Sequence, residues 1–173
     1  MSFHASRIAM LCLAAAAMPA WAATSGVSSN GFLSTHRAEL GATPAEVYAA
    51  LGQVGRWWNG DHTYSGKAEN LTMELRANGC FCENWDGNSI EHARVIYAAR
   101  DKVLRLEGGL GPLQPMAVTG VMNYAITTAE GKTLLTFTYR VRGADAELDK
   151  LAATVDKVMA EQFTRLVAFV EKR

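Results

Sequence analysis

Apolar residues recur at three-and-four spacing along the end of the chain: Leu148, Leu151, Val155, Val158, Met159, Phe163, Leu166, Phe169 and Val170. Asp149, Lys150, Asp156, Lys157, Glu161, Arg165 and Lys172 fall mainly on the opposite side, and no Gly or Pro interrupts the run. The pattern predicts one amphipathic helix over Asp145 to Lys172. At the usual rise per residue it is roughly 40 Å long, well above the ordinary helix length. Such a helix cannot bury its stripe on itself, so it must lie across whatever the preceding segments form.

Those segments alternate with period two between turn signals, which predicts strands. The predicted strands are Phe32–Leu40, Leu71–Ala77, Cys80–Trp85, Ser89–Ala98, Lys102–Glu107, Val118–Thr128 and Lys132–Arg142. Between the first two, Thr43-Pro44-Ala45-Glu46 has the residues of a helix start: a Thr cap, Pro in the first turn and Glu at the third position. A second short helix or turn carries Val54, Trp57 and Trp58, and Asn59 to Asn70 reads as a polar loop. Asn78-Gly79, Asp86-Gly87-Asn88, Arg100-Asp101 and Ala129-Glu130-Gly131 tolerate tight or left-handed backbone. Gly108 to Pro115 is too rich in Gly and Pro for regular structure and is expected to form a flexible rim. The order predicts an α+β fold, a curved antiparallel sheet of about seven strands with a long helix packed across it.

The first residues are set apart from that fold. A weakly basic start, an apolar run from Ile8 to Met18 and the small-residue ending Pro19-Ala20-Trp21-Ala22 predict a secretory signal over 1–22. Cys12 lies inside the apolar run, not after it, which argues against a lipoprotein site. Cleavage after Ala22 leaves 151 residues of the 173, sufficient for one domain with a core. Residues 23–31 are small and polar and are expected to be a disordered lead-in, with the domain proper over 32–173. The implied location is periplasmic or secreted, with no membrane anchor after cleavage.

Lysine plus arginine and aspartate plus glutamate each number 17, and no block of like charge suggests nucleic acid as a partner. Cys80 and Cys82 lie about 6.5 Å apart if they occupy one face of a strand. That spacing is near the limit for an unstrained bridge, so two packed thiols are expected over a strained, reducible disulfide. Two thiolates without a second ligand pair give no metal site. The chain contains no P-loop, nucleophile elbow or HExxH, and no cofactor is expected.

The segment Ala42-Thr43-Pro44-Ala45-Glu46-Val47-Tyr48, the pair Trp57-Trp58, the run His62-Thr63-Tyr64-Ser65-Gly66 and the loop Leu110-Gly111-Pro112-Leu113 resemble the START/SRPBCC superfamily. This group includes polyketide cyclases and dehydrases and homologues of the activator of heat-shock ATPase. The resemblance runs from about Phe32 to the end of the chain. It implies a helix-grip fold whose pocket, between sheet and terminal helix, takes a small hydrophobic or aromatic molecule. It implies no single chemistry, because members include carriers, enzymes and co-chaperones.

Several side chains are candidates for that pocket. If Asp86 pairs with Ser89, Glu83 faces His92 across the hairpin, an acid–base pair in which carboxylate and imidazole tune each other. The alternative, weighted more heavily on sequence grounds, is a surface ion pair. His62 and Tyr64 are candidates for binding or gating, against local packing of their loop. Trp57, Trp58 and Trp85 are candidate aromatic walls, Tyr124 a polar handle, and Met159 and Phe163 the helix residues expected to touch a ligand. His36 is read as a half-exposed strand residue without a role. Three functions follow: a binding protein for a small hydrophobic molecule, a cyclase-, dehydratase- or hydrolase-type enzyme using Glu83 and His92, and a protein-interaction module. Acid–base groups converging inside the cavity would favour the enzyme, and a collapsed cavity with an exposed apolar patch would favour the interaction module.

Overall fold

Tight turns with left-handed residues set the sheet. Asn78, Asp86, Asp101 and Glu130 have φ of 62°, 44°, 62° and 52°, with Gly87 and Gly131 both at 79° beside two of them. Asn and Asp tolerate this backbone because their short side chains bond locally, and Gly has no Cβ to clash. In the computed structural model, which describes residues 21–144 and 147–172, these turns join strands of one antiparallel sheet.

The strands are β1 (Trp21–Ser28), β2 (Gly31–Leu40), β3 (Leu71–Met73), β4 (Cys80–Trp85), β5 (Asn88–Ala99), β6 (Val103–Glu107), β7 (Val118–Ala129) and β8 (Lys132–Gly143), in the order β1-β2-β8-β7-β6-β5-β4-β3. Helix α1 (Pro44–Leu51) follows β2, single 3-10 turns cover Val54–Arg56, Gly60–His62, Ala68–Asn70 and Gly111–Leu113, and helix α2 (Leu148–Glu171) ends the described chain. The α+β architecture read from the sequence is the one observed.

Helix α1 begins as predicted: Thr43 accepts from the Glu46 N–H, and the Glu46 carboxylate accepts from the Thr43 N–H in return. Helix α2 buries Leu148, Ala152, Val155, Met159, Gln162, Phe163, Leu166 and Val170. Its apolar stripe packs over β2 and β1 and joins one buried core with alternate residues of the sheet, among them Met122, Tyr124 and Ile126 of β7 and Leu135, Phe137, Tyr139 and Val141 of β8. None of the described helices is long and apolar enough to cross a membrane.

Four expectations need correction. Residues from Ala23 on are not a disordered lead-in: Trp21–Ser28 forms β1, paired in register with β2 from Trp21↔Arg37 to Ser28↔Gly31. Backbone pairing to an available strand edge supplies order that this small, polar composition does not. The sheet therefore has eight strands, not about seven. Strand β3 stops at Met73, short of the predicted Ala77, because the chain turns away and Asn78 and Gly79 exchange hydrogen bonds with Val95 of β5 at 2.8 Å each. Cys80 and Cys82 are joined in a disulfide rather than packed as thiols. The strand is locally contracted, with the two Cα atoms 5.3 Å apart, inside the range a bridge needs. The signal-sequence reading of residues 1–20 lies outside the described residues.

Candidate functional site

The site is created by an irregularity in the β4–β5 hairpin. The turn is the two-residue Asp86-Gly87, one residue earlier than predicted, so Trp85 pairs with Asn88 and Glu83 with Ile90 where His92 was expected. A shift of two preserves the facing sides, and Glu83 and Phe81 both point inward. The ladder then slips: Cys82 pairs with Glu91 but Phe81 pairs with Ala93, leaving His92 as the extra residue of a bulge. A regular strand would send His92 and Ala93 to opposite faces. The bulge buries both.

Glu83 is 0 % exposed and His92 7 %, so in place of the surface ion pair favoured from the sequence there is a buried, hydrogen-bonded pair. His92 Nε2 lies 3.0 Å from Glu83 Oε2. The same oxygen accepts the Tyr64 N–H at 3.0 Å, and Glu83 Oε1 accepts the Ser65 N–H at 2.6 Å. Burial by itself would raise the Glu83 carboxyl, but hydrogen bonds from Ser65, Tyr64 and His92 outweigh it and hold it below the usual carboxylate range. Burial lowers the His92 imidazole, with Glu83 opposing more weakly. At neutral pH the pair is therefore a carboxylate and a neutral imidazole. The carboxylate needs a donor, so the Nε2–H tautomer is fixed and Nδ1 carries the lone pair.

His92 faces a cavity of about 360 Å³. Trp58, His62, Thr63, Tyr64 and His92 wall one side, Leu110, Gly111 and Pro112 the rim, and Thr154, Val155, Val158 and Met159 of α2 the other side. Ring contacts run from Trp57 to Trp58 (5.7 Å), Phe81 (5.3 Å) and His92 (5.0 Å), and on to Tyr64 (5.9 Å). The indole N–H groups are satisfied by the backbone, Trp57 by the Ala50 carbonyl and Trp58 by the His62 carbonyl. Arg165 of α2 donates to the Trp57 and Trp58 carbonyls, fixing the Trp pair against the helix.

Two loops frame the opening. His62 Nε2 lies 3.2 Å from Glu161 Oε2, whose other oxygen accepts from Asn59 Nδ2, so the 59–64 loop is tied to α2. Tyr64 is 51 % exposed, and its hydroxyl donates to the Gly111 carbonyl at 3.4 Å, bridging one loop to the other. The Gly-rich rim is anchored at its base. The Tyr139 hydroxyl donates to the Gly108 carbonyl and accepts from the Leu110 N–H, both at 3.0 Å, and burial raises that phenol to about 12. A side chain at Gly108 would collide with the His92 carbonyl, so glycine there lets the rim lie against the bulge.

Beyond Trp58 and Met159, which belong to both spaces, lies a separate cell of about 10 Å³ bounded also by Trp57, Tyr124, Phe137, Gln162, Phe163 and Leu166. The predicted residues thus divide. Trp58, His62, Tyr64 and Met159 line the main cavity with His92, Glu83 stands behind His92, and Trp57, Tyr124 and Phe163 line the inner cell. Trp85 lines neither: it shares the face of Glu83, but at the hairpin tip it is only half-buried and lies outside both spaces. Sequence reasoning missed Gln162, hidden as a polar residue within the helix stripe. It also missed the Tyr64 and Ser65 amides, which a side-chain reading does not reveal.

His36 also departs from expectation, being 2 % exposed. Its Nε2 lies 2.8 Å from Ser34 Oγ and 3.3 Å from Asp156 Oδ1, and Ser34 Oγ donates to the same Asp156 oxygen at 2.5 Å. Phe137 and Phe163 flank the ring. This cluster fastens α2 to β2. Burial lowers the imidazole, opposed by Asp156.

No protein-family model and no curated protein matches the chain. Solved structures do match it in fold. CalU16 from Micromonospora echinospora is 15% identical with a TM-score of 0.59, over 88% of this chain and 84% of that one. An uncharacterised protein from Rhizobium leguminosarum is 19% identical with a TM-score of 0.59, over 90% of this chain and 100% of that one. DynU16, described as a protein in the dynemicin biosynthetic locus, is 15% identical with a TM-score of 0.58, over 79% of this chain and 46% of that one. At these identities the likeness is one of fold.

Proposed function

We propose that the chain is an exported helix-grip protein of the START/SRPBCC kind that holds a small hydrophobic or aromatic molecule between its sheet and α2. The observation that carries this reading is the cavity of about 360 Å³, with largely apolar and aromatic walls and a few polar residues, the buried His92 among them. Ligand sites combine that kind of lining with few, well-placed polar atoms. His92 Nδ1, held in one tautomer by Glu83, can accept a hydrogen bond from a ligand hydroxyl or N–H. The fold shared with DynU16, from a biosynthetic locus, accords with a small-molecule partner. The open cavity weighs against the interaction-module reading, which expects a collapsed one.

Export rests on the sequence of residues 1–22. Cleavage after Ala22 would remove Trp21 and Ala22 from the start of β1 and leave the Ala23↔Thr35 pairing intact. Native mass spectrometry of the protein purified from its own periplasm tests both parts together. A chain beginning at Ala23 with a reproducible small-molecule adduct is the expected result. An unprocessed chain would refute export, and a bare chain at every collision energy would refute ligand retention.

A second reading has its own support, because Glu83 and His92 converge inside the cavity and not on the surface. A neutral imidazole with a free lone pair, backed by a carboxylate, can remove a proton from a bound molecule while Glu83 stabilises the imidazolium formed. This is the machinery of cyclase- or dehydratase-type chemistry. Glu83 itself is fully engaged and acts by orienting His92. Incubating any co-purified molecule with wild type and His92→Ala separates the readings: turnover by wild type alone favours catalysis, and an unchanged molecule with both favours binding.

A further inference from the structure

Among the described residues one buried side-chain polar atom lacks a partner, Gln162 Nε2. Gln162 is 3 % exposed. Its orientation is not arbitrary. The Oε1 atom accepts the Asn59 N–H at 2.8 Å, and turning the amide over would set its NH₂ against that donor. The acceptor end is therefore committed to the loop, and the donor end is left inside, where Gln162 lines the inner cell. Tyr124 lines the same cell. An unpartnered buried donor thus borders a space about the size of one water-sized atom group. The remaining walls, Trp57, Trp58, Phe137 and Met159 among them, offer no free polar atom, since both indole N–H groups are already used.

We infer that Gln162 anchors the carbonyl oxygen of a ligand whose apolar body fills the main cavity. The oxygen passes between Trp58 and Met159 into the inner cell and accepts from Gln162 Nε2. Gln162 Nε2 can only donate, so what it needs from a ligand is an acceptor oxygen such as a carbonyl. Met159 is the adaptable wall, unbranched and able to change rotamer without losing its packing. With His92 at one end and Gln162 at the other, the cavity selects an aromatic or apolar ketone or ester carrying a donor at its far end. This inference rests on the ligand-binding reading above and deepens it.

The test compares 2-acetylnaphthalene with its hydrocarbon isostere 2-isopropylnaphthalene, measured by quenching of tryptophan fluorescence. Wild type is expected to prefer the ketone by about tenfold or more, the scale of one well-formed hydrogen bond to a buried donor. Gln162→Met is expected to bind both probes alike, having lost the preference. Because that variant also releases the Asn59 N–H, a second measurement leaves the chain unaltered. The Gln162 side-chain amide signals in the nitrogen–proton NMR spectrum of wild type should move when the ketone is added and stay in place with the hydrocarbon. Equal affinities together with unmoved amide signals would mean that the cell holds only water and would overturn the inference while leaving the cavity as a binding site. Failure of wild type to bind either probe would overturn both.

Discussion

Replacing Glu83 by glutamine keeps the shape of the side chain and exchanges one acceptor oxygen for an NH₂ donor. In the protein both oxygens face donors: Ser65 N–H on Oε1, and Tyr64 N–H and His92 Nε2 on Oε2. The better orientation keeps the carboxamide oxygen toward Tyr64 and His92, so the new NH₂ meets the Ser65 N–H. One charge-assisted hydrogen bond is lost, worth about 1.5–3 kcal/mol, and the two that remain weaken to ordinary neutral bonds. The variant also relieves the burial of a charge, which offsets part of the loss. A net destabilisation of about 2–3 kcal/mol follows, or about 5–10 °C in Tm for a domain of this size. Urea unfolding followed by tryptophan fluorescence at pH 7.5 measures it. The sign of the pH dependence supplies a second check. A carboxyl with a depressed folded-state pKa contributes stability that is complete above its ordinary value of 4.5 and is lost as pH falls through the folded value. The carboxyl's own share of the gap between wild type and variant should be complete at pH 7.5 and be lost as pH falls below the ordinary carboxyl value. A variant within about 0.5 kcal/mol of wild type at pH 7.5 would show that the two backbone amides and His92 do not hold a carboxylate there.

His36 and His92 are both lowered by burial, so the unfolded chain binds more protons than the folded one as pH drops below the ordinary imidazole value of 6.5. Stability should therefore fall between pH 6.5 and 5, and a flat urea midpoint across that interval would contradict the burial of both rings. Val158→Trp places an indole in the main cavity and should weaken binding of an aromatic probe such as 2-isopropylnaphthalene at least tenfold. Unaltered affinity in a folded variant would place the probe elsewhere. The Cys80→Ser/Cys82→Ser double variant opens a very short loop, so the chain-entropy loss is only about 1.5 kcal/mol. Because both cysteines lie on the face opposite Glu83, probe affinity should not change, and a weakened site would tie the disulfide to the cavity. Thr43→Ala removes the capping box of α1 and should cost about 1 kcal/mol in urea unfolding, with no change meaning that the cap is redundant.

The elements best read from the sequence are those whose local chemistry and burial agree. The apolar stripe of α2, the capped start of α1 and the alternation of β7 and β8 all announce the structure that forms. Reading failed where a partner decides the outcome. The Ala, Ser and Thr of residues 23–28 have no apolar face to display, and their order comes from hydrogen bonding to β2. His36 has the neighbours of a half-exposed strand residue, and only the arrival of Asp156 from α2 makes its burial tolerable. The bulge at His92 leaves no mark on the residue types around it. Strict alternation gave the correct partners, Glu83 and His92, through a register two residues off, because a shift of two keeps the facing sides and the bulge leaves His92 on the buried face.

Polar groups are expensive to bury, and among the described residues Glu83, His92 and Gln162 are buried around the loop that faces α2. Glu83 shows why that grouping matters. The carboxylate that fixes the tautomer of His92 is the same one that holds the Tyr64 and Ser65 amides, and Tyr64 is also the residue that reaches across to Gly111 at the cavity mouth. Loop position and imidazole orientation are therefore set by one group and cannot vary independently. Gln162 plays the corresponding part at the inner end, its oxygen securing Asn59 at the root of that loop while its nitrogen faces the inner cell. A helix stripe built for packing alone would carry Leu or Met at that position. The donor left unpaired there is the strongest sign that the interior is shaped for a guest with an oxygen to offer, since in a finished apolar core it would be only a cost.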